Sequence, residues 1–335
     1  MNQVVTVTGD GLLPLLGLRS SDPPVKSVLR LLAHGIEPEL DPEDEEKLVD
    51  WVTVNEIGLE LGFEDEAYVR AESPEMRRRG PLLLTQLYFY GDTARTQPFP
   101  YPLPFGLTFE DSRDDVRRKM AVHDGRPRYY IRDAWELPKF NVAAAYRKDG
   151  GALESVLCYL RYDPWPDIPG EAELLASFTP QFFIEFFGAR WSNEALRIAM
   201  APLGYETALP SVRAEHVADF RYSHGIELMF SISRELKDAD QRFAHALAFS
   251  GVTYYAPRQL DARLWAGPLP YDLTFEDSQN NLYEKIGRKP VAFSDETFSG
   301  RTEWNFERFT LTVLYSNVQN RIARVLLQAP RVEAP

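Results

Sequence analysis

The sequence predicts an α+β fold made by tandem duplication of helix plus antiparallel β-meander units. Four half-units form one or two continuous twisted sheets with helices on one face. Two observations carry this expectation. Pro102-Leu103-Pro104-Phe105-Gly106-Leu107-Thr108-Phe109-Glu110-Asp111-Ser112 returns as Pro268-Leu269-Pro270-Tyr271-Asp272-Leu273-Thr274-Phe275-Glu276-Asp277-Ser278, with nine of eleven positions identical at one offset of 166. Self-similarity at so long a period marks a duplicated structural unit. In the flanking segments apolar and polar residues alternate, the two-residue period of strands with one buried and one wet face.

The match extends both ways. Upstream, Gly58-Leu59-Glu60-Leu61-Gly62-Phe63 answers to Gly225-Ile226-Glu227-Leu228-Met229-Phe230. Downstream, Trp135, Phe140, Val142, Tyr146, Leu153 and Val156 answer to Trp304, Phe309, Leu311, Tyr315, Ile322 and Val325 at an offset of 169. Near the start, Leu16-Gly17-Leu18-Arg19 resembles Phe187-Gly188-Ala189-Arg190. Each copy divides again, since Gly17-Leu18 before Ser21-Asp22 looks like Gly106-Leu107 before Asp111-Ser112. Each half is then a capped helix, a loop and three strands.

The helices follow from their caps. Ser112 with Asp115 three residues on has the form of a capping box, and Val116 and Met120 fall on one face. Arg117, Arg118 and Lys119 crowd the helix C-terminus, where the macrodipole favours cations. Ser278 caps the matching helix of Leu282 and Ile286, and Gly287 ends it. Asp22-Pro23 opens a helix with the buried stripe Val25, Val28, Leu29 and Leu32. A fourth helix spans residues 193–203. The strands follow from alternation: Leu59, Leu61 and Phe63 on one face, then Phe140, Val142, Ala144 and Tyr146, then Phe309, Leu311, Val313 and Tyr315. The expected organisation is a first lobe over residues 1–162, a Pro-rich linker over 163–179 and a second lobe over 180–335.

Composition narrows the function. Apolar residues at 44% and charged residues at 26% describe a globular chain rather than a disordered one. Lys plus Arg number 37 against 50 Asp plus Glu, a net charge of −13 that argues against a nucleic-acid partner. Cys158 is the single cysteine, which excludes internal disulfides and Cys-rich zinc sites. No apolar run approaches the roughly 20 residues that span a bilayer, so no membrane partner is expected. Met1-Asn2-Gln3-Val4-Val5 has no basic leader, and the expected location is cytoplasmic.

No catalytic constellation emerges, so the chain is expected not to be an enzyme, and no cofactor or metal is expected. His34, His123, His216, His224 and His245 lack metal-ligand spacing, and no phosphate loop or nucleophile elbow occurs. Cys158 stands on a strand where the second copy has Leu327, as a small buried hydrophobe would. Glu110-Asp111 and Glu276-Asp277 invite a metal reading, but helix capping accounts for the Asp-Ser part. Glu60 and Glu227 are the notable carboxylates, duplicated on otherwise apolar strands, where a partner contact or a structural role on the wet face fits them. Trp135 and Trp304, repeated, are expected in the core. Unrepeated aromatics are expected at an interface, because Trp and Tyr dominate binding hot spots. These are Trp165, Trp191, Trp265, Tyr129, Tyr130, Tyr254 and Tyr255. The acidic loop Glu37, Glu39, Asp41, Glu43, Asp44, Glu45 and Glu46 completes the partner-binding candidates.

The Gly-Leu-Thr-Phe-x-Asp-Ser turn opening a helix, followed by a tryptophan-led meander, resembles a recurring bacterial module. It is similar to the small outer-membrane assembly lipoproteins and to the tandem β-lactamase inhibitory proteins, whose repeats form a concave sheet that grips another protein. The stretch Phe105-Gly106-Leu107-Thr108-Phe109-Glu110-Asp111-Ser112-Arg113-Asp114-Asp115-Val116 also resembles segments of immunity-type proteins encoded beside polymorphic toxins. The lipoproteins carry a lipidated cysteine and the inhibitory proteins carry disulfides, and this chain has neither. The resemblance implies binding of a protein across a sheet. The expected function is therefore that of an immunity protein neutralising a cognate bacterial toxin, with a basic toxin domain as partner. An enzyme with a site in the inter-repeat cleft and a self-assembling scaffold are the alternatives.

Overall fold

The structure, a computed structural model, describes residues 7–40, 49–70, 81–148, 151–162, 165–166, 168–237 and 239–332. The chain divides into two compact units, residues 1–163 and 164–335. In the first, β1 (Val49–Val54), β2 (Leu59–Asp65), β3 (Leu82–Tyr90), β4 (Arg126–Tyr129), β5 (Asp133–Glu136), β6 (Phe140–Tyr146) and β7 (Leu153–Leu160) form one sheet in the order β1-β2-β3-β7-β6-β5-β4. Its helices are α1 (Gly9–Leu12), α2 (Pro23–Leu32), α3 (Glu66–Val69) and α4 (Arg113–Met120).

The second unit repeats that sheet strand for strand. Its strands are β8 (Val217–Phe220), β9 (Ile226–Ile232), β10 (Leu247–Tyr255), β11 (Ala292–Asp295), β12 (Ser299–Asn305), β13 (Thr310–Ser316) and β14 (Arg321–Gln328), and the order is β8-β9-β10-β14-β13-β12-β11. The helices are α5 (Glu171–Leu175), α6 (Pro180–Glu185), α7 (Glu194–Met200), α8 (Tyr205–Glu215), α9 (Arg221–His224) and α10 (Gln279–Ile286). Every strand pair in both sheets is antiparallel. The duplication is thus a repeat of topology as well as of residues.

The half-units are visible too. Two meanders, β1-β2-β3 and β4-β5-β6-β7, meet along one ladder where β3 pairs with β7. Each meander's last strand is bridged by the segment ahead of its helix, Arg19 to Leu83 and Ser112 to Ala152. The second unit keeps the first of these as Arg190 to Ala248. The outermost strands β4 and β11 are additions to the expected three.

The repeated motif survives because each residue holds a backbone position. Thr108 N–H donates to Asp111 Oδ2 at 2.8 Å, and Thr274 N–H donates to Asp277 Oδ2 at 2.7 Å. From the next helix Lys119 Nζ reaches Asp111 at 2.7 Å, and Lys285 Nζ reaches Asp277 at 2.8 Å. The same two amines donate to the carbonyls of Gly106 and Asp272. The carbonyls of Asp111 and Asp277 then accept from the N–H groups of Leu153 and Ile322, tying each turn to the start of the sheet's central ladder. Ser112 with Asp115 and Ser278 with Asn281 close the expected capping boxes. Asp22 departs from expectation: it stands at the N-cap of α2, but its carboxylate accepts from the Arg19 N–H instead.

In the first unit the helices α2 and α4 share a core with one sheet face. Val25, Val28, Leu29 and Leu32 meet Val116, Met120, Leu59, Leu61, Phe63, Leu87, Phe89, Trp135, Val142, Val156 and Cys158. Trp135 and Trp304 are buried as the repeat predicts, and Trp304 Nε1–H finds the Arg288 carbonyl at 3.0 Å. Gly58 and Gly225 are repeated for a backbone reason. Each has positive φ, and a Cβ there would lie 2.2 Å from the Gln97 carbonyl oxygen or 2.4 Å from that of Arg263.

Three expectations change. Residues 165–179 do not behave as a free linker. They include α5, the buried Trp165, Leu175 and Phe178, and Phe178 packs on Phe182 and Phe183 of the second unit. The fourth helix runs as expected from its Asn193 cap, with a 3-10 turn over Ala201–Leu203 completing it, but it leads into α8, which the sequence pattern missed. An interior Pro210 and only two buried side chains, Tyr205 and Val212, hide α8 from a search for an apolar stripe. Last, the outer face of the first sheet is dry at its centre. Tyr88, Leu157, Tyr159 and Ala143 there are all buried, whereas β9 alternates buried and half-exposed positions from Ile226 to Ser231.

Candidate functional site

The candidate site is the sheet face turned away from the helices, where the duplicated glutamates lie. Cross-strand registers define it as rows. In the second sheet one row runs Glu303, Thr312, Leu326, Thr253, Glu227, Asp219. Beside it runs Asn305, Thr310, Gln328, Gly251, Met229, Val217, and on the other side Arg301, Leu314, Arg324, Tyr255. Leu314, Leu326 and Met229 are half-exposed, and Met229 lies over Gly251, whose missing Cβ leaves room for it.

The same positions in the first sheet hold different chemistry. The middle row is Ala134, Ala143, Leu157, Tyr88, Glu60, Thr53. Trp51 covers Gly62 and lies 5.8 Å from the Tyr88 ring, which stacks on Tyr90 at 5.5 Å. Burial pushes the Tyr88 hydroxyl up to about 12, with nearby Arg132 pulling the other way. This aromatic cluster covers Gly62 and buries Tyr88 at the centre of the row, while Trp51 and Thr53 at its edge stay exposed.

Each glutamate is held by the tyrosine two positions along the neighbouring strand. Tyr90 OH donates to Glu60 Oε2 at 2.7 Å, and Thr53 Oγ1 donates to Oε1 at 3.1 Å. Tyr255 OH donates to Glu227 Oε2 at 3.4 Å. Burial, reinforced by the Glu60 hydrogen bond, raises the Tyr90 hydroxyl far above its ordinary range. Asp219 sits directly across from Glu227, a like-charge pair that is unfavourable alone. Arg221 offsets it, holding Asp219 at 2.6 Å and approaching Glu227 at 3.8 Å. Burial still raises the Glu227 carboxyl above the usual carboxylate range, against the pull of Arg221. The two glutamates therefore belong to two separate sheets, each engaged within its own unit.

An open groove of about 540 Å³ adjoins this face in the second unit. Thr207, Ala208 and Ser211 of α8 form one wall, and Asp219, Phe220, Ser223 and His224 form the other. His224 Nδ1 lies 2.9 Å from Glu171 Oε1, which fixes the ring at the groove's rim. The sequence singled out His224 only as unremarkable, and Glu171 is 53 residues away, so nothing local signalled the pair. Among the described residues no group of three or more His, Cys, Asp or Glu could hold a metal ion. Burial raises the Cys158 thiol well above its ordinary range, which keeps it protonated.

The aromatic candidates divide. Tyr129 is exposed with the Arg117 guanidinium 4.1 Å from its ring centroid, and Tyr130 is half-buried. Trp191 is half-buried under Arg213. Four others are corrected from interface to interior. Tyr254 is fully buried, Trp265 is 2% exposed, and their rings lie 5.3 Å apart against Phe183. Tyr255 is buried by its place in the central strand, and Trp165 is buried under the Arg258 guanidinium. Of the acidic loop, Glu37 and Glu39 are exposed, while Asp41, Glu43, Asp44, Glu45 and Glu46 lie outside the described residues.

The chain matches no family model, no curated protein and no solved structure. Among the described residues no helix is long and apolar enough to cross a membrane.

Proposed function

We propose that this chain is a non-catalytic binding protein of immunity type, which neutralises a cognate bacterial toxin in the cytoplasm by covering it with a sheet face. One observation carries the reading: the outer face of the second sheet sets half-exposed Met229, Leu314 and Leu326 among Glu227, Glu303, Arg301 and Arg324. An apolar centre with a charged surround is the anatomy of a protein-binding patch. Six strands at about 4.8 Å spacing span about 24 Å, comparable to the side of a contact of about 800 Å² per partner. The first sheet keeps the backbone plan but covers the same positions with Trp51, Tyr88 and Tyr90, so the two faces differ as scaffolded binding surfaces do. The net charge of −13 suits a basic toxin domain and would speed encounter with it.

The test is co-expression with the toxin gene encoded beside it. Rescue of growth and a stable complex support the reading, and Leu326→Asp or Arg324→Glu weakens both. A complex unaffected by either substitution, or the absence of any rescue, rejects it.

A further inference from the structure

The groove between α8 and β8 pairs its charges internally and leaves its neutral polar groups open. Asp219 is held by Arg221 through contacts of 2.6 and 3.0 Å, and Glu171 is held by His224 at 2.9 Å. The lining includes no lysine or arginine. An anion in the groove would therefore meet no countercharge, and a cation would meet only carboxylates that already have partners. The unspent capacity is neutral. In the neutral His224 ring Nδ1–H donates to Glu171, so Nε2 keeps its lone pair. Ser211, on the facing wall, makes no side-chain hydrogen bond among the described residues. The Thr207 hydroxyl donates to the Gly204 carbonyl at 2.7 Å and the Ser223 hydroxyl to that of Phe220 at 3.3 Å. Both oxygens can still accept.

We propose that this groove binds a neutral saccharide. Sugar hydroxyls both donate and accept, so they answer His224 Nε2 and the Thr207 and Ser223 oxygens as donors and meet Ser211 as either. The walls suit such a ligand. Thr207, Ala208 and Ser211 share one face of α8, and none is longer than threonine, so that wall stays recessed. Opposite them the Phe220 ring, 7% exposed, gives the C–H face of a sugar an apolar surface. Glu171 reaches His224 from 53 residues away and fixes the ring at the rim, with only 16% of the histidine side chain exposed. The groove's volume of about 540 Å³ falls within the range of about 300–1,000 Å³ for small-molecule sites. The inference goes beyond toxin binding, which is assigned to the patch of Met229, Leu314 and Leu326.

Saturation-transfer NMR on the full chain at neutral pH reads the binding, with maltose, cellobiose, lactose and chitobiose as probes. At least one disaccharide receives transferred signal. Ser211→Leu fills the recess without touching either carboxylate pair, leaves the melting transition in place and abolishes the transfer. Ala208→Leu does the same from the neighbouring position. Ser211→Ala removes one hydroxyl and weakens binding about three- to tenfold, the weight of one neutral hydrogen bond. No transfer to any of the four disaccharides overturns the proposal, and so does transfer that both leucine variants leave unchanged. Inorganic phosphate or butylammonium binding more tightly than every sugar, and lost in Ser211→Leu, overturns the neutral class of ligand. These titrations need no toxin, so they can fail while the growth rescue stands, or stand while it fails.

Discussion

Asp133 and Thr302 hold one position in the two sheets, opposite Ala144 and Val313, yet they solve the same packing problem with different charge. Asp133 is fully buried and accepts from Arg113 at 2.7 Å, Arg117 at 2.7 Å and Tyr146 at 3.1 Å. Thr302 accepts from Gln279 at 3.0 Å, and Gln279 and Tyr283 stand where the arginines do. Removing one partner of a buried ion cluster strands the others, whereas a neutral hydrogen bond is worth less. Asp133→Asn therefore costs about 3–5 kcal/mol and Thr302→Val about 1 kcal/mol in urea unfolding. Equal losses would show that the charge adds nothing.

The motif aspartates make a matched pair of experiments. Asp111→Ala and Asp277→Ala each free a backbone N–H and a lysine, for about 1.5–3 kcal/mol apiece as charge-assisted bonds. Lys119→Met costs less than Asp111→Ala, because the Thr108 N–H keeps its acceptor. Ser112→Ala costs about 1 kcal/mol, the usual weight of a helix cap. Thermal melts of the four variants give the ranking.

Trp265→Ala and Trp304→Ala each cost about 3–5 kcal/mol, as large buried aromatics do. Trp265→Phe costs far less, because it restores the residue type of the first unit. Phe99 N–H donates to the Tyr90 carbonyl as Trp265 N–H does to that of Tyr255, and Phe99 packs on Phe89 as Trp265 does on Tyr254. Denaturant midpoints with an unchanged slope are the readout.

Glu227 and Glu66 give stability opposite dependence on pH. Burial raises Glu227 in the folded chain, so its contribution is present below the unfolded carboxylate value of about 4.3 and is lost as pH rises through the folded value. Burial also opposes Glu66, but hydrogen bonds from Arg19 and Arg70 outweigh it and lower its pKa. Its contribution is present above the unfolded value and is lost as pH falls through the folded one. Relative to native chain, Glu227→Gln gains stability between pH 4 and neutrality, and Glu66→Gln loses it. Parallel pH curves for the two variants would contradict these environments.

The duplication was legible because the conserved identities are backbone anchors. Asp111, Asp277, Gly58 and Gly225 each fill a geometry that few side chains satisfy, so they repeat as letters. The core repeats only as chemistry: Phe89 and Phe99 become Tyr254 and Trp265, and a search for identical tryptophans placed Trp265 on the surface. Trp165 misled for another reason, since its proline-dense neighbourhood resembles a linker while its ring lies under Arg258. The dry centre of the first sheet's outer face was hidden because Tyr88, Leu157 and Tyr159 lie on β3 and β7, strands that the alternation did not single out. The Glu171–His224 contact was hidden by sequence distance alone.

The seam between meanders has a kinetic consequence. Most ladders in each sheet join neighbours in the chain across short connections, but β3 on β7 and β10 on β14 close loops of several tens of residues. Chain-closure entropy makes such a ladder dearer by about 2 kcal/mol than a hairpin of a few residues. Local hairpins therefore assemble first and the central ladder zips last, so a nick in the connection between β3 and β4 leaves two fragments that can find each other again.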